Sequence, residues 1–103
     1  KALYREAGRG LIENVYTLKV INKDTREHHF DLSVSGVPGI VVEHDDGDII
    51  VAPASVRTMA ARVRLDPDRL DAQSVPVEFV VTSRSDPKMT AETEARFLGP
   101  ERR

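Results

Sequence analysis

The sequence contains no cysteine among its 103 residues. This absence excludes disulfide bonds, thiol catalysis, cysteine-ligated zinc and cysteine-ligated iron–sulfur clusters within the chain. It does not indicate a compartment, because an oxidising environment permits disulfides without requiring them. Tryptophan is also absent, and only three Phe and two Tyr are present. A hydrophobic core must therefore consist mainly of aliphatic side chains.

The chain also lacks a strong charge of either sign and any long apolar run. Lys and Arg number 15 and Asp and Glu number 17, for a net charge of -2. This balance argues against nucleic acid and gives no reason to expect an anionic membrane surface as partner. No signal peptide and no apolar run of about 18 residues are present. Because the chain begins at Lys1 rather than Met, we expect a soluble single-domain piece of a longer protein.

A period-two alternation of apolar and polar residues is the main structural signal. It is clearest in the segment ENVYTLKVIN at residues 13–22, where Tyr16, Leu18 and Val20 alternate with other residues. This pattern predicts a strand with one buried face, which we take as the first central strand. Further strands are predicted at residues 27–35, 40–43, 49–51, 55–65, 74–82 and 89–98. Their inward residues are predicted to include Met59 in the strand 55–65, Val75, Val77, Phe79 and Val81 in 74–82, and Ala91, Thr93, Ala95 and Phe97 in 89–98.

The spacing of these segments predicts the fold. About seven strands recur at roughly 8–12-residue intervals with turn residues between them, which indicates an all-β, immunoglobulin-like antiparallel β-sandwich. The cysteine and tryptophan core of antibody domains is absent, and a β-barrel is the main alternative. We also expect a hairpin between the first two long strands. One helical turn is predicted after Asp66, with Pro67 at its first position.

The histidines are candidate metal ligands. His28 and His29 are adjacent, so in a strand they point to opposite faces and cannot hold one ion together. His28 shares a face with Phe30, which predicts a place at the margin of the core. A site made of His29, His44 and Asp45 would need two separate loops to meet, since copper or zinc takes at least three converging ligands. No metal-ligand spacing is present, so structural roles are favoured.

The acidic segment from Asp45 to Asp48 is not a calcium loop. An EF-hand needs a glutamate at its twelfth position, where this chain has Val56. The Asp46-Gly47 dipeptide instead favours a solvated hairpin tip.

Paired carboxylates and arginines occupy the polar faces of two predicted strands. Glu92 and Glu94 are neighbours on one face, but no cleft is predicted around them. The basic stripe of Arg57, Arg62 and Arg64 is expected to meet these glutamates across neighbouring strands, with contact to a partner as the less favoured alternative. The sequence has no Gly-x-Ser-x-Gly nucleophile motif and no phosphate-binding glycine loop. It therefore indicates no enzyme within this segment.

Residues 9–23 carry a family resemblance. With the ENxYTLKxxNK pattern at their centre, they resemble the start of the C-terminal immunoglobulin-like domain of FixG/CcoG-type cytochrome c oxidase accessory proteins. The resemblance covers essentially the whole chain. Its other parts are Phe30-x-Leu32-x-Val34-x-Gly36 followed by Gly39, the strand around Pro53, and the closing Phe97-Leu98-Gly99-Pro100.

The resemblance implies a parent protein that spans the inner membrane. That parent would carry [4Fe-4S] clusters and take part in maturation of the cbb-type oxidase, through copper handling and reduction. Residues 1–11 would be a lead-in after a membrane segment, 12–100 a periplasmic sandwich domain and 101–103 a tail. The family's redox motifs are built on cysteine, so no functional residue is carried over to this chain.

Three functions remain open at this point. The first is a non-catalytic scaffold that docks the parent to an oxidase subunit or a copper-delivery factor. The second is a copper relay, in which imidazole and thioether ligands from His29, His44, Met59 or Met89 would hold the ion transiently. The third sets the resemblance aside and assumes an adhesive or carbohydrate-binding sandwich, which the shortage of aromatic residues disfavours.

Overall fold

The computed structural model describes residues 4–100, which form eight β-strands in two antiparallel sheets. The first sheet has the order β1-β2-β6-β4 and the second the order β5-β3-β7-β8. The strand bounds are β1 Arg5–Glu6, β2 Ile12–Asn22, β3 His28–Ser35, β4 Val41–Glu43, β5 Ile49–Val51, β6 Ser55–Leu65, β7 Ser74–Ser83 and β8 Thr90–Leu98.

The order of strands confirms the predicted sandwich over the alternative barrel. In chain order, the sheet β1-β2-β6-β4 matches the A-B-E-D sheet of an immunoglobulin domain, and β3-β7-β8 matches the C-F-G sheet. The short β5 adds a fourth strand beside β3. The molecule is elongated, with extents of 52 × 22 × 22 Å.

β2 has the predicted alternation and lies at the centre of the first sheet. It pairs along its whole length with β6, from Ile12 opposite Leu65 to Asn22 opposite Ser55. Val20 is buried, whereas Val15 and Ile21 on the opposite face are exposed. The inward-facing residues of β2 thus pack on the core, as the sequence pattern predicts.

The core has two clusters of buried residues. The larger contains Phe79 and Phe97, and the smaller contains Phe30 and Met59. The inward position predicted for Met59 is confirmed, since only 4% of it is exposed. Tyr16 is half-buried and meets Phe79 edge-on, with ring centroids 5.0 Å apart.

The predicted hairpin between β2 and β3 is wrong, because the two strands belong to different sheets. Asn22, at the end of β2, holds the chain as it crosses. Its side-chain amide donates to the carbonyls of Arg26, Val51 and Ala52, and its Oδ1 accepts from the Asp24 amide. These bonds satisfy a buried amide and turn the chain toward the second sheet.

The acidic segment at residues 44–48 is not a hairpin tip either. It connects β4 of the first sheet to β5 of the second. Asp45 accepts two hydrogen bonds from Arg62, at 2.8 and 2.9 Å, and Asp46 accepts one from Arg57 at 2.9 Å. The arginines of β6 therefore neutralise this connection.

The predicted contact between those arginines and Glu92/Glu94 is wrong for a related reason. β6 and β8 lie in different sheets, so their outer faces point away from each other. Arg64 instead donates to Glu13 on the adjacent β2, at 2.8 Å.

The predicted lead-in and tail lie at the two ends of the chain. The lead-in contains the short β1 and a 3-10 turn at Gly8–Gly10, whereas residues 1–3 and the tail 101–103 lie outside the described part. The predicted turn after Asp66 is confirmed as a 3-10 helix, Pro67–Arg69. Among residues 4–100, no helix is long and apolar enough to cross a membrane.

Candidate functional site: an open groove between β2 and β8

β2 and β8 face each other across one side of the sandwich, and side chains join them at one end. The Asn14 amide donates to the Leu98 carbonyl and its Oδ1 accepts from the Leu98 amide, both at 2.9 Å. The Tyr16 hydroxyl donates to the Arg96 carbonyl at 2.8 Å. Two side chains of β2 thus form hydrogen bonds with the backbone of β8, in the place where the backbone of a neighbouring strand would form them.

Toward the other end, the same side of the sandwich is open. Two adjoining cavities of about 340 and 390 Å³ lie on this side. One wall is residues 17–23, the end of β2 and its turn, and the other is residues 89–93, at the start of β8. Their floor is made of core side chains, namely Leu18, Phe30, Leu32, Phe79 and Val81. We call this space the β2–β8 groove.

The prediction that Ala91 and Thr93 point inward holds for direction only. Both line the groove, yet both are exposed, because no β2 side chain covers this part of β8. Ala95 and Phe97, farther along the strand, are half-buried and buried. The groove therefore lies where the core is left uncovered at the start of β8.

The backbone of β8 presents unpaired groups along this groove. In an antiparallel strand, the N–H and C=O of one residue point to the same side and alternate residues point to opposite sides. Met89 bonds to Ser83 on the β7 side, whereas Leu98 and Arg96 bond toward β2. The even-numbered residues Thr90, Glu92 and Glu94 consequently direct their backbone groups to the free edge, where no described residue pairs with them.

Three glutamates form an acidic cluster on the outer face beside this edge. Glu78 lies directly opposite Glu94, and Glu92 is the next outward residue of β8. Within residues 4–100, none of the three carboxylates takes part in an ion pair. The hydrogen bond with Glu92 and the nearby negative charge of Glu92 and Glu94 raise the pKa of Glu78. Like charges opposed across a ladder destabilise the sheet.

A second polar group is buried inside the sandwich. His28 Nδ1 lies 2.6 Å from the Ser83 hydroxyl oxygen, and His28 Nε2 lies 2.7 Å from Asp24 Oδ2. The order Asp-His-Ser is that of a hydrolase triad. However, His28 and Ser83 are each only 1% exposed, so the hydroxyl does not meet solvent or a substrate. The group instead ties β3 to β7 and to the turn after β2.

Comparison with known proteins identifies the family. The model of the family described as "IG-like fold at C-terminal of FixG, putative oxidoreductase" matches residues 1–100. The chain belongs to this FixG C-terminal domain family. The crystal structure of a FixG-related protein from Vibrio parahaemolyticus is 34% identical to this FixG C-terminal domain, covers 86% of this chain and 80% of that chain, and superposes with a TM-score of 0.76.

A protein from Archaeoglobus fulgidus is 18% identical, with coverage of 97% of this chain and 94% of that chain and a TM-score of 0.48. No curated protein matches the chain. The family resemblance proposed from residues 9–23 is therefore confirmed, and with it the immunoglobulin-like fold.

The candidate copper ligands of this FixG domain lie on different parts of it. His29 is on the outer face of β3 with 41% of its side chain exposed, and His44 is in the β4–β5 connection. Met59 is in the core, and Met89 lines the β2–β8 groove. Residues 4–100 contain no group of three His, Asp or Glu side chains arranged to hold a metal ion. The His28 position is deeper than predicted, in the core rather than at its margin.

Sequence reasoning missed the structural use of the polar residues in the FixG signature. The alternation assigns no role to Glu13 or Asn14, yet each is buried, with 6% exposed. Glu13 binds Arg5 and Arg64, and Asn14 binds β8. Polar residues on the inward side of an apolar alternation, such as Asn14 and Asn22, are the signal that could have identified them, since buried polar groups need partners.

Proposed function

We propose that this chain is a non-catalytic interaction domain of a membrane-bound FixG-type protein. In this proposal the parent lies in the inner membrane, holds [4Fe-4S] clusters outside this chain and takes part in assembly of the cbb-type cytochrome c oxidase and in copper handling. The domain itself stands in the periplasm and docks the parent to an oxidase subunit or to an assembly or copper-delivery factor.

The observation that supports docking is the β2–β8 groove beside an unpaired strand edge. Its floor is apolar core and its rim includes backbone donors and acceptors without partners in the described chain. Exposed edges of this kind pair readily with another chain, and proteins commonly cover or interrupt them unless they serve binding. The groove offers apolar contacts and backbone hydrogen bonds, which are the requirements of protein recognition.

Deletion of the domain from the full parent protein tests this function. We expect cells that carry the truncated parent to lose most cbb-type oxidase activity, while the truncated protein keeps its membrane level and iron–sulfur content. The intact parent should co-purify an oxidase subunit or assembly factor that the truncated parent does not. Full oxidase activity with unchanged co-purification would contradict the proposal.

A copper relay is the second candidate, and one observation favours it. The His44 Nδ1 atom is buried and has no hydrogen-bond partner among residues 4–100, so an imidazole nitrogen is left without a visible role. Titration with Cu(I) and Cu(II) tests the relay, with His44→Ala and His29→Ala as variants. If both histidine variants bind copper as tightly as a surface control variant, Thr58→Ala, the relay is ruled out.

A further inference from the structure

We propose that the β2–β8 groove binds one extended segment of a partner protein, which joins the second sheet as a strand beside β8. The segment would alternate apolar and basic residues. This inference rests on the proposed docking function and specifies the surface and the chemistry of the partner. Three features carry it: the free backbone edge, the apolar floor and the acidic outer face.

The backbone edge sets the length and position of the added strand. Thr90, Glu92 and Glu94 direct their N–H and C=O groups away from β7, as the bonds of Leu98 and Met89 on the same strand establish. Beyond Glu94, the Asn14 and Tyr16 side chains occupy the edge. A segment of about five or six residues would therefore pair here, which is the usual length of a strand.

The groove selects apolar residues at alternate positions. Partner residues opposite Ala91 and Thr93 would point into the sandwich, because residues opposite each other in a sheet share a face. Ala91 and Thr93 are small and exposed, so they leave room above Phe79 and Val81. Aliphatic partner side chains would fill this space and bury apolar core surface that is exposed to solvent in the free domain.

The outer face selects basic residues at the intervening positions. Partner residues opposite Glu92 and Glu94 would lie on the outer face that also carries Glu78, one strand farther away. Lys or Arg at these positions would compensate carboxylates that form no ion pair in the described chain. Opposite charges across a ladder stabilise it, and like charges do the reverse. Pairing of β8 with the β8 of a second copy would oppose glutamates to glutamates, which disfavours a symmetric dimer at this edge.

Peptide binding to the isotope-labelled 103-residue chain tests the inference. The probe is the acetylated and amidated peptide Lys-Val-Lys-Val-Lys-Val, and the controls are Lys-Lys-Lys-Val-Val-Val and Glu-Val-Glu-Val-Glu-Val. We expect the alternating basic peptide alone to bind, with the amide signals of Thr90, Glu92 and Glu94 shifted and their hydrogen exchange slowed. Equal binding of both basic peptides would overturn the inference, because it would indicate charge attraction only. Shifts elsewhere on the chain would also overturn it, because they would indicate another surface.

Two pairs of variants separate edge pairing from loss of the fold. Thr90→Pro removes an edge N–H at a strand start, where proline is tolerated, and Thr90→Val removes only the hydroxyl bonded to Thr82. We expect peptide affinity to fall about five- to tenfold in Thr90→Pro relative to Thr90→Val, the usual effect of one hydrogen bond. Equal affinities would contradict edge pairing.

The second pair tests the groove. Ala91→Lys places a charge over the apolar floor, whereas Thr58→Lys adds the same charge to the exposed face of β6. Both variants should unfold at similar temperatures, and only Ala91→Lys should lose peptide binding. Unchanged binding by a folded Ala91→Lys protein would overturn the inference. If oxidase assembly in cells needs the domain but these peptides do not bind, the docking function stands and this surface is the wrong one.

Discussion

Asn14 makes with its side chain the contacts that a neighbouring strand would make with its backbone. Its side-chain nitrogen donates to the Leu98 carbonyl and its side-chain oxygen accepts from the Leu98 amide. The adjacent inward residue, Tyr16, donates to the Arg96 carbonyl. Burial raises the pKa of Tyr16 to about 12, so its hydroxyl remains a donor at any physiological pH. The residues that carry the family signature therefore close one end of the sandwich.

Replacement of Asn14 by Ala should destabilise the domain by about 1–3 kcal/mol, because two backbone groups of Leu98 would lose their partners. Urea denaturation measures this loss. Thr17→Ala, an exposed change on the same strand, should have little effect. A wild-type midpoint for Asn14→Ala would mean that the two strands are held together by other contacts.

Stability should fall in acid, and Glu13 should account for part of the fall. The hydrogen bond from Arg64, assisted by Arg5, holds the pKa of the Glu13 carboxyl below its ordinary value despite burial. The folded state thus binds this proton more weakly than the unfolded chain. The contribution of ionised Glu13 to the free energy of unfolding is complete above the unfolded-state pKa of roughly 4, and it is lost as the pH falls through the folded-state pKa.

Asp24 acts in the same direction, since the hydrogen bond with His28 lowers its pKa. Thermal unfolding between about pH 7 and pH 2 measures the combined effect. The variant Glu13→Gln should be less stable than the wild type at neutral pH, and the difference should shrink in acid. A constant difference across this range would show that ionisation of Glu13 does not contribute.

For the individual strand, the alternation of apolar and polar residues predicts where the strand lies in the sequence and which of its residues face the core. The bounds of β6 agree with the prediction at both ends, and the apolar residues predicted to face inward on β2 and β7 do so. This success follows from the local nature of the signal, since each strand buries one face wherever it lies. The partner of a strand is not local, and the predicted β2–β3 hairpin failed for that reason.

The groove could be predicted only in part for the same reason. The inward direction of Ala91 and Thr93 follows from their parity, but their exposure depends on the distance between β2 and β8. The acidic cluster has the same limit. Glu92 and Glu94 are neighbours in sequence, whereas Glu78 joins them only through the register of β7 and β8.

Glu78 should lower the stability of the β7–β8 ladder at neutral pH. Because Glu92 and Glu94 raise its pKa, the folded state holds the Glu78 proton more tightly than the unfolded chain. Protonated Glu78 therefore favours the folded state. This stabilisation is present below the unfolded-state pKa of Glu78 and is lost as the pH rises through its folded-state pKa. Replacement by Gln removes the repulsion, so Glu78→Gln should raise the melting temperature at pH 7.

The control for this change is Glu6→Gln. Glu6 is an exposed residue of β1, and the residue opposite it on β2, Ile12, is uncharged. It should leave the melting temperature almost unchanged. If Glu78→Gln melts at or below the wild-type temperature, the cluster is not a source of repulsion, and the case for a basic partner weakens.

The whole molecule is an elongated sandwich. On the side where β2 faces β8, the two strands are joined at one end and separated at the other. The closed end is formed by signature residues that bond β2 to β8, and the open end exposes core side chains and a free strand edge. Structural closure and the proposed docking surface thus lie on the same pair of strands.

Native-state amide hydrogen exchange distinguishes the joined end of β8 from its free edge, because it reports on each backbone donor without a ligand. The amide of Leu98, bonded to Asn14 Oδ1, should be strongly protected, and Asn14→Ala should remove that protection. The amides of Thr90, Glu92 and Glu94 should exchange at nearly the rate of an open chain. Protection of these three amides equal to that of Leu98 would contradict the account, since the proposed edge would already be paired.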